Sequence, residues 1–230
     1  MNEISALLRS LQAQLHGQIV LAGHPIARQP PQIHMQEWQL VAAAGEKRQR
    51  EFACGRLLAH RLLEQLGAST EVIDRDEKGC PQWPPDIVGS ISHTDRYCVA
   101  VAASQTDCRA IGIDLEKIER MQRSLWPKLF TAQETGHLRE YTDDFAQARH
   151  AAILFSAKEA LYKCDYPLNR RWVDFDDVSV TVSQGSGRLS IRSMDDRKNL
   201  NYEGCFAATR THVACVVYSL AARHEYDGIY

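Results

Sequence analysis

The chain lacks most of the marks of a specialised protein class. No apolar run reaches the roughly 18 residues needed to span a membrane. The opening residues, Met1 to Ile4, show no basic segment leading into an apolar one, so no secretory leader is expected. Neither sign of charge dominates: 27 lysines and arginines stand against 29 acidic residues, for a net charge of −2. Such a balance gives no global attraction to nucleic acid or anionic lipid, and electrostatic recognition has to come from local clusters. The seven cysteines (Cys54, Cys80, Cys98, Cys108, Cys164, Cys205 and Cys215) are odd in number, form no Cys-x-x-Cys pair and sit mostly among apolar neighbours. This argues against a disulfide framework or a thiolate zinc site, and the chain reads as cytoplasmic. There is no G-x-G-x-x-G, Walker A, G-x-S-x-G or H-E-x-x-H motif. No repeat with a period of about 20–50 residues is present either.

What remains is an ordinary globular composition, 44% hydrophobic and 24% charged, over a length that suits one large domain or two small ones. Ile4, Leu7, Leu8, Leu11 and Leu15 recur at helical spacing and predict a helix over residues 3–15. Residues 16–34, broken by Gly17, Gly23, Pro25, Pro30 and Pro31, read as strand or loop. Trp38, Val41, Phe52, Leu58, Leu62 and Leu66 predict a helix from 35 to 66, closed by Gly67. A short strand is expected over 70–75, a turn at 76–81, and strands over 87–93 and 97–103, the last apolar enough to be buried on both faces. Residues 110–116 alternate: Ile111, Ile113 and Leu115 share one face, while Gly112, Asp114 and Glu116 share the other, where Gly112 leaves space beside the acids. Thr131 and Glu134 form a capping-box pattern. A second helix is expected over 145–164, then strands over 177–183, 187–193, 202–210 and 212–219 in hairpins, and a frayed tail over 224–230. Each half thus contributes helices and a few strands, with a seam near 104–110.

Three groups of residues carry possible chemistry. Glu159 and Lys163, four apart on a helix, present a carboxylate and an ammonium on one face. Asp114 and Glu116 add two acids on one strand face, and an all-oxygen set of this kind suits a hard cation such as Mg²⁺ or Mn²⁺ that shares its shell with substrate phosphates. Ser92-His93 ends a strand, and a basic helical stretch supplies Arg48 and Arg56, whose guanidinium forks match phosphate geometry. Taken singly, each has a plainer reading: a solvated ion pair, solvated strand acids, a structural histidine, a charged helix face. Together with Lys158 they point to phosphoryl chemistry.

The order Gly55-Arg56, Trp83-Pro84, Gly89-Ser90-Ile91-Ser92-His93, Gly112-Ile113-Asp114-Leu115-Glu116 and Phe155-Ser156-Ala157-Lys158-Glu159-Ala160-Leu161-Tyr162-Lys163 resembles the Sfp-type 4′-phosphopantetheinyl transferases. Within them it looks most like the branch of the enterobactin synthase component D proteins. The resemblance covers residues 45–165. It implies an α/β (α+β) fold, a pseudo-two-fold pair of similar halves (1–108 and 109–230), each a small mostly antiparallel sheet with packed helices. It further implies transfer of phosphopantetheine from coenzyme A to a serine of an apo carrier protein, in a monomer that serves siderophore, peptide, polyketide or fatty-acid synthesis.

By the same resemblance Asp114, Glu116 and Glu159 hold Mg²⁺, and Glu159, Lys163 and Asp114 are catalytic. Arg48, Arg56, Ser92, His93, Lys158 and Lys163 contact coenzyme A, and Lys78-Gly79-Cys80-Pro81 runs past its adenine. Cys80 stands where many relatives carry a basic residue. The stretch 121–130, with Arg123 and Lys128, is expected to meet the carrier unless Trp126, Leu129 and Phe130 simply pack beneath the next helix. The competing readings are a Mg²⁺-dependent phosphohydrolase or nuclease, and a non-enzymatic coenzyme A-binding protein.

Overall fold

The structure is a computed structural model that describes residues 3–69, 71–170, 173–194 and 202–221. The tail at 224–230 lies outside them, as does residue 70 at the start of one expected strand. In chain order the elements are α1 (Glu3–Gln12), β1 (Val20–Pro25), α2 (Met35–Gln39), α3 (Glu46–Gln65), β2 (Asp74–Arg75), β3 (Pro81–Gln82), β4 (Ile87–His93) and β5 (Tyr97–Ser104). There follow β6 (Cys108–Lys117), α4 (Trp126–Leu129), α5 (Ala132–Arg139), α6 (Asp144–Asn169), β7 (Val178–Ser183), β8 (Arg188–Ser193), β9 (Glu203–Ala208) and β10 (His212–Leu220).

The strands form an antiparallel three-stranded sheet, β1-β5-β4, an antiparallel five-stranded sheet, β6-β10-β9-β8-β7, and the small β2-β3 hairpin. The apolar run of β5 is explained by what covers it. Cys98, Ala100 and Ala102 face Cys54, Leu58 and Leu62 of α3, whereas Val99, Val101 and Ala103 face Ile111, Ile113 and Leu115 of β6 and Ala214, Val216 and Tyr218 of β10. The opposite face of the large sheet, with Val213, Cys215 and Val217, packs on Ala157, Ala160, Leu161 and Cys164 of α6. The layers therefore run α3, small sheet, large sheet, α6, and a strand covered on both faces has no polar side to show in its sequence. Helix α1 closes one end: Ile4, Leu7 and Leu11 join the layer between the sheets, and Glu3 accepts hydrogen bonds from the Thr211 amide (3.2 Å) and hydroxyl (2.7 Å).

Several local expectations change. The helix expected over 35–66 is two helices, because Gly45 is a poor helix former and the Gln49 amide donates to the carbonyls of Val41 (3.3 Å) and Ala42 (3.0 Å), holding the intervening turn. Among the described residues of the strand expected over 70–75, only Asp74 and Arg75 pair, with Gln82 and Pro81 of β3. Helix α6 begins with Asp143 accepting from the Ala146 amide at 2.6 Å, but it runs past 164 to Asn169. Pro167 lies in its last turn, where the missing N–H forfeits the bond to the Lys163 carbonyl, and three residues on Arg170 ends the helix with a left-handed φ of 50°. The capping box forms, with Thr131 Oγ1 accepting from the Glu134 amide and the Glu134 carboxylate from the Thr131 amide. Gly112 does not leave space beside the acids. A Cβ there would lie 2.0 Å from the Ala160 carbonyl oxygen, so its hydrogen lets α6 rest directly on β6.

Candidate active site

The close approach of α6 to β6 sets the geometry of one cleft. Asp114 and Glu116 project from β6 toward α6, and Glu159 and Lys163, one turn apart, face them. From the small sheet, the end of β4 contributes Ser92 and His93, and α3 contributes Arg48, Glu51, Phe52, Gly55 and Arg56. Arg75 of β2, Gly79 of the following turn and Pro81 of β3 complete a cavity of about 350 Å³.

At its floor is a tight triangle. The Ser92 hydroxyl donates to Asp114 Oδ1 at 2.9 Å. Lys163 Nζ donates to Asp114 Oδ1 at 2.7 Å and to Ser92 Oγ at 3.0 Å, and the Leu115 amide donates to the same hydroxyl at 3.3 Å. Lys163 thus pairs with Asp114, not with Glu159. Above it, Arg48 Nη1 donates to His93 Nε2 at 2.9 Å, while Glu51 lies 3.7 Å from His93 Nδ1. Burial, together with Arg48 and Lys163, holds the imidazole pKa below its ordinary value despite the Glu51 charge. His93 is therefore neutral near pH 7, with Nε2 accepting and Nδ1 carrying the proton.

The acids are under-compensated. Burial, and then the Asp114 charge, push the Glu116 carboxyl up to about 7, and the same two causes raise Glu159. Asp114 Oδ2 and Glu116 Oε2 are buried without a hydrogen bond, Arg120 standing 3.8 Å from the latter. Buried carboxylate oxygens in this state are costly unless a cation reaches them. Among the described residues no three histidine, cysteine or acidic side chains are gathered closely enough to hold a metal ion as they stand. The donor chemistry nevertheless fits a hard divalent ion: oxygen ligands only, two of them unsatisfied, and excess negative charge.

Three expected contacts fall differently, and a fourth does so in part. Lys158 does not reach the cleft. One residue from Glu159, it is turned about 100° around the helix and lies 4% exposed in the core, where Nζ donates to Glu134 Oε2 (2.7 Å) and to the carbonyls of Phe175 (2.7 Å) and Leu129 (3.2 Å). Lys78 is exposed beside the turn, and only its amide is engaged, by Asp76. Cys80 lines a neighbouring cavity beside Trp83 instead, leaving Gly79 and Pro81 at the cleft itself. In the stretch 121–130, Trp126 and Phe130 are buried in the core, and Arg123 is held by Asp144 (2.6 Å) and Gln147 (2.7 Å). Conversely, Arg75, Glu51 and Phe52 were not singled out by any motif. Arg75 reaches the cleft because its guanidinium is anchored on the Leu40 carbonyl at 2.8 Å, a contact across 35 residues with no local signature.

Larger cavities exist among the described residues, such as one of about 410 Å³ beside His137 and His150 and one of about 440 Å³ beside Trp83. Neither gathers acids and several cations together, which is what phosphate chemistry needs. A cleft with carboxylates on one side and guanidinium groups on the other has the charge pattern that phosphate groups and a hard cation need. Residues 36–103 match the model of the 4′-phosphopantetheinyl transferase N-terminal domain, and residues 110–217 match that of the 4′-phosphopantetheinyl transferase superfamily. The chain belongs to this superfamily and is a 4′-phosphopantetheinyl transferase. It is 36% identical to the 4′-phosphopantetheinyl transferase Npt of Nocardia iowensis over 67% of this chain and 68% of that one. It is 32% identical to the transferase PptT of Mycobacterium tuberculosis over 72% and 74%. It is 35% identical to enterobactin synthase component D of Salmonella typhimurium over 54% and 50%. Among solved structures, a holo-(acyl-carrier-protein) synthase from Bacillus anthracis, in complex with coenzyme A (3′,5′-ADP), aligns at a TM-score of 0.41 with 17% identity, over 50% of this chain and 99% of that chain.

Proposed function

We propose that the chain moves the 4′-phosphopantetheine group of coenzyme A to a serine of an apo carrier protein and releases adenosine 3′,5′-bisphosphate. The observation that carries the reading is the cleft itself: residues from both family-matched segments, Ser92 and Arg56 in one and Asp114 and Lys163 in the other, meet there. Asp114, Glu116 and Glu159 would hold Mg²⁺, with Mn²⁺ as an alternative, and the ion would neutralise the pyrophosphate oxygens. Glu159 takes the proton from the attacking serine hydroxyl, directly or through a water, as the new bond to phosphorus forms. Lys163 stands beside the pyrophosphate and stabilises the charge that develops on the departing bisphosphate as the old phosphorus–oxygen bond breaks. Arg48 and Arg56 offer donors to the remaining phosphates, and His93 stands with them, its Nε2 holding Arg48.

The two halves, 1–108 and 109–230, act as a nucleotide-holding part and a catalytic part of a cytoplasmic monomer. The carrier approaches over the outer surface near 121–130, where Leu125, Lys128 and, on the joined start of α6, Phe145 stand exposed. Siderophore-type carriers are the favoured acceptors.

The test is intact-mass analysis of apo carrier proteins incubated with the enzyme, Mg²⁺ and coenzyme A. One phosphopantetheine should be gained per carrier, with equal release of the bisphosphate. Release without a carrier would make the protein a phosphohydrolase instead. Glu159→Gln should lower kcat by about 10²–10⁴-fold while coenzyme A still binds. Full activity in that variant removes Glu159 from the mechanism.

A further inference from the structure

Arg56 is an unusual member of the cleft. It is only 3% exposed, and burial presses its pKa down to about 10. A guanidinium so buried needs a fixed partner to stay charged and oriented. Nη2 donates to the Asp74 carbonyl at 3.3 Å, and the ring of Phe52 lies 4.5 Å from the guanidinium carbon. Neither supplies a counter-charge.

The counter-charge comes from Glu37 on α2, an element that does not line the cleft. Glu37 is 0% exposed. Its Oε1 accepts from His60 Nε2 at 2.8 Å and from the Ile73 amide at 3.0 Å, and lies 3.9 Å from Arg56 Nε. The partners of Glu37 thus bind the middle of α3 and the chain just before β2 to one carboxylate. The residue after α2, Leu40, offers the carbonyl that anchors Arg75, a second guanidinium of the cleft. Three buried atoms in this cluster, Glu37 Oε2, Arg56 Nε and His60 Nδ1, are left without a hydrogen bond, so Glu37 acts on Arg56 through charge and not through a hydrogen bond.

We propose that Glu37 is a positioning residue for substrate binding: braced by His60 and the Ile73 amide, it holds Arg56 so that the guanidinium's cleft-facing edge meets a phosphate of coenzyme A. This rests on the cleft being the coenzyme A site. Loss of the Glu37 charge frees the fork to turn, so the effect falls on coenzyme A recognition more than on the chemical step or on the carrier.

The experiment measures coenzyme A binding by calorimetry and steady-state kinetics in both substrates for wild type and Glu37→Gln, which keeps an acceptor for Ile73. The expected result is an approximately tenfold weaker coenzyme A affinity and a matching rise in its KM, with kcat and the carrier KM within about twofold. In an Arg56→Gln background the same Glu37→Gln change has no further effect. Unchanged coenzyme A affinity in Glu37→Gln overturns the proposal, as does a full tenfold loss in the Arg56→Gln background. Equal loss in every parameter, tracking a lowered folded fraction, also overturns it. If Glu37→Gln does not fold, Glu37→Asp takes its place: it keeps the charge but withdraws it, and wild-type coenzyme A affinity in that variant counts against the proposal. Failure of the wild-type protein to bind coenzyme A strikes the reading of the cleft itself and is seen before any variant is made.

Discussion

At the scale of single residues, one helical position decides function. Glu159 and Lys158 are neighbours in the same motif, yet one lines the cleft and the other is a core residue paired with Glu134. Removing one member of a buried, hydrogen-bonded ion pair leaves the other charge uncompensated. Lys158→Met is therefore expected to lower the unfolding free energy by about 3 kcal/mol, measured by urea denaturation. Coenzyme A affinity of the folded fraction should stay at the wild-type level. A large loss of affinity without loss of stability would return Lys158 to the cleft. Asp114, Glu116, Glu159 and Lys163 were legible because strand alternation and helical spacing are local rules. The partners they chose were not: Lys163 turns to Asp114 and Ser92, 49 and 71 residues away, instead of to Glu159 four residues away.

At the scale of elements, β6 and α6 stand or fall together. Their contact depends on Gly112, where a methyl group would meet the Ala160 carbonyl oxygen at 2.0 Å and the Cys164 amide nitrogen at 2.7 Å. Neither atom belongs to a flexible side chain, so the helix has to move. Gly112→Ala should destabilise the fold by about 1–3 kcal/mol, read from a thermal melt. It should also cut kcat in the folded protein, because the shift carries Glu159 and Lys163 away from Asp114. Wild-type kcat in a folded Gly112→Ala variant would show that the cleft tolerates the shift. The helices and strands themselves were largely readable from periodicity and caps. Their ends were less so, since the break before Gly45 is held by a Gln49 side chain and the extension past Pro167 is fastened by Arg170, which reaches Asp76 at 2.7 Å.

At the scale of the whole molecule, the two sheets share one apolar layer, to which α1, β5, β6, β9 and β10 all contribute. Separating the sheets would bare Val99, Val101 and Ile113 together, so neither can unfold without exposing the other. A single cooperative transition is expected, with tryptophan fluorescence and far-UV circular dichroism giving coincident denaturation curves. Two resolved transitions would show that the halves fold independently. The cleft lies where β4 and α3 meet β6 and α6, which is why its groups come from both sides of the molecule.

The sequence by itself determined which residues alternate, which lie one turn apart and where most elements begin, because those are consequences of backbone geometry over a few residues. Through its motifs it also determined the kinship with the phosphopantetheinyl transferases. Only the tertiary structure decided that Lys158 serves the core, that Arg75 and Glu51 join the cleft, and that Glu37 stands behind Arg56. Each of those outcomes depends on which distant element covers a given face, and a charge is placed by the partner that compensates it, wherever along the chain that partner lies.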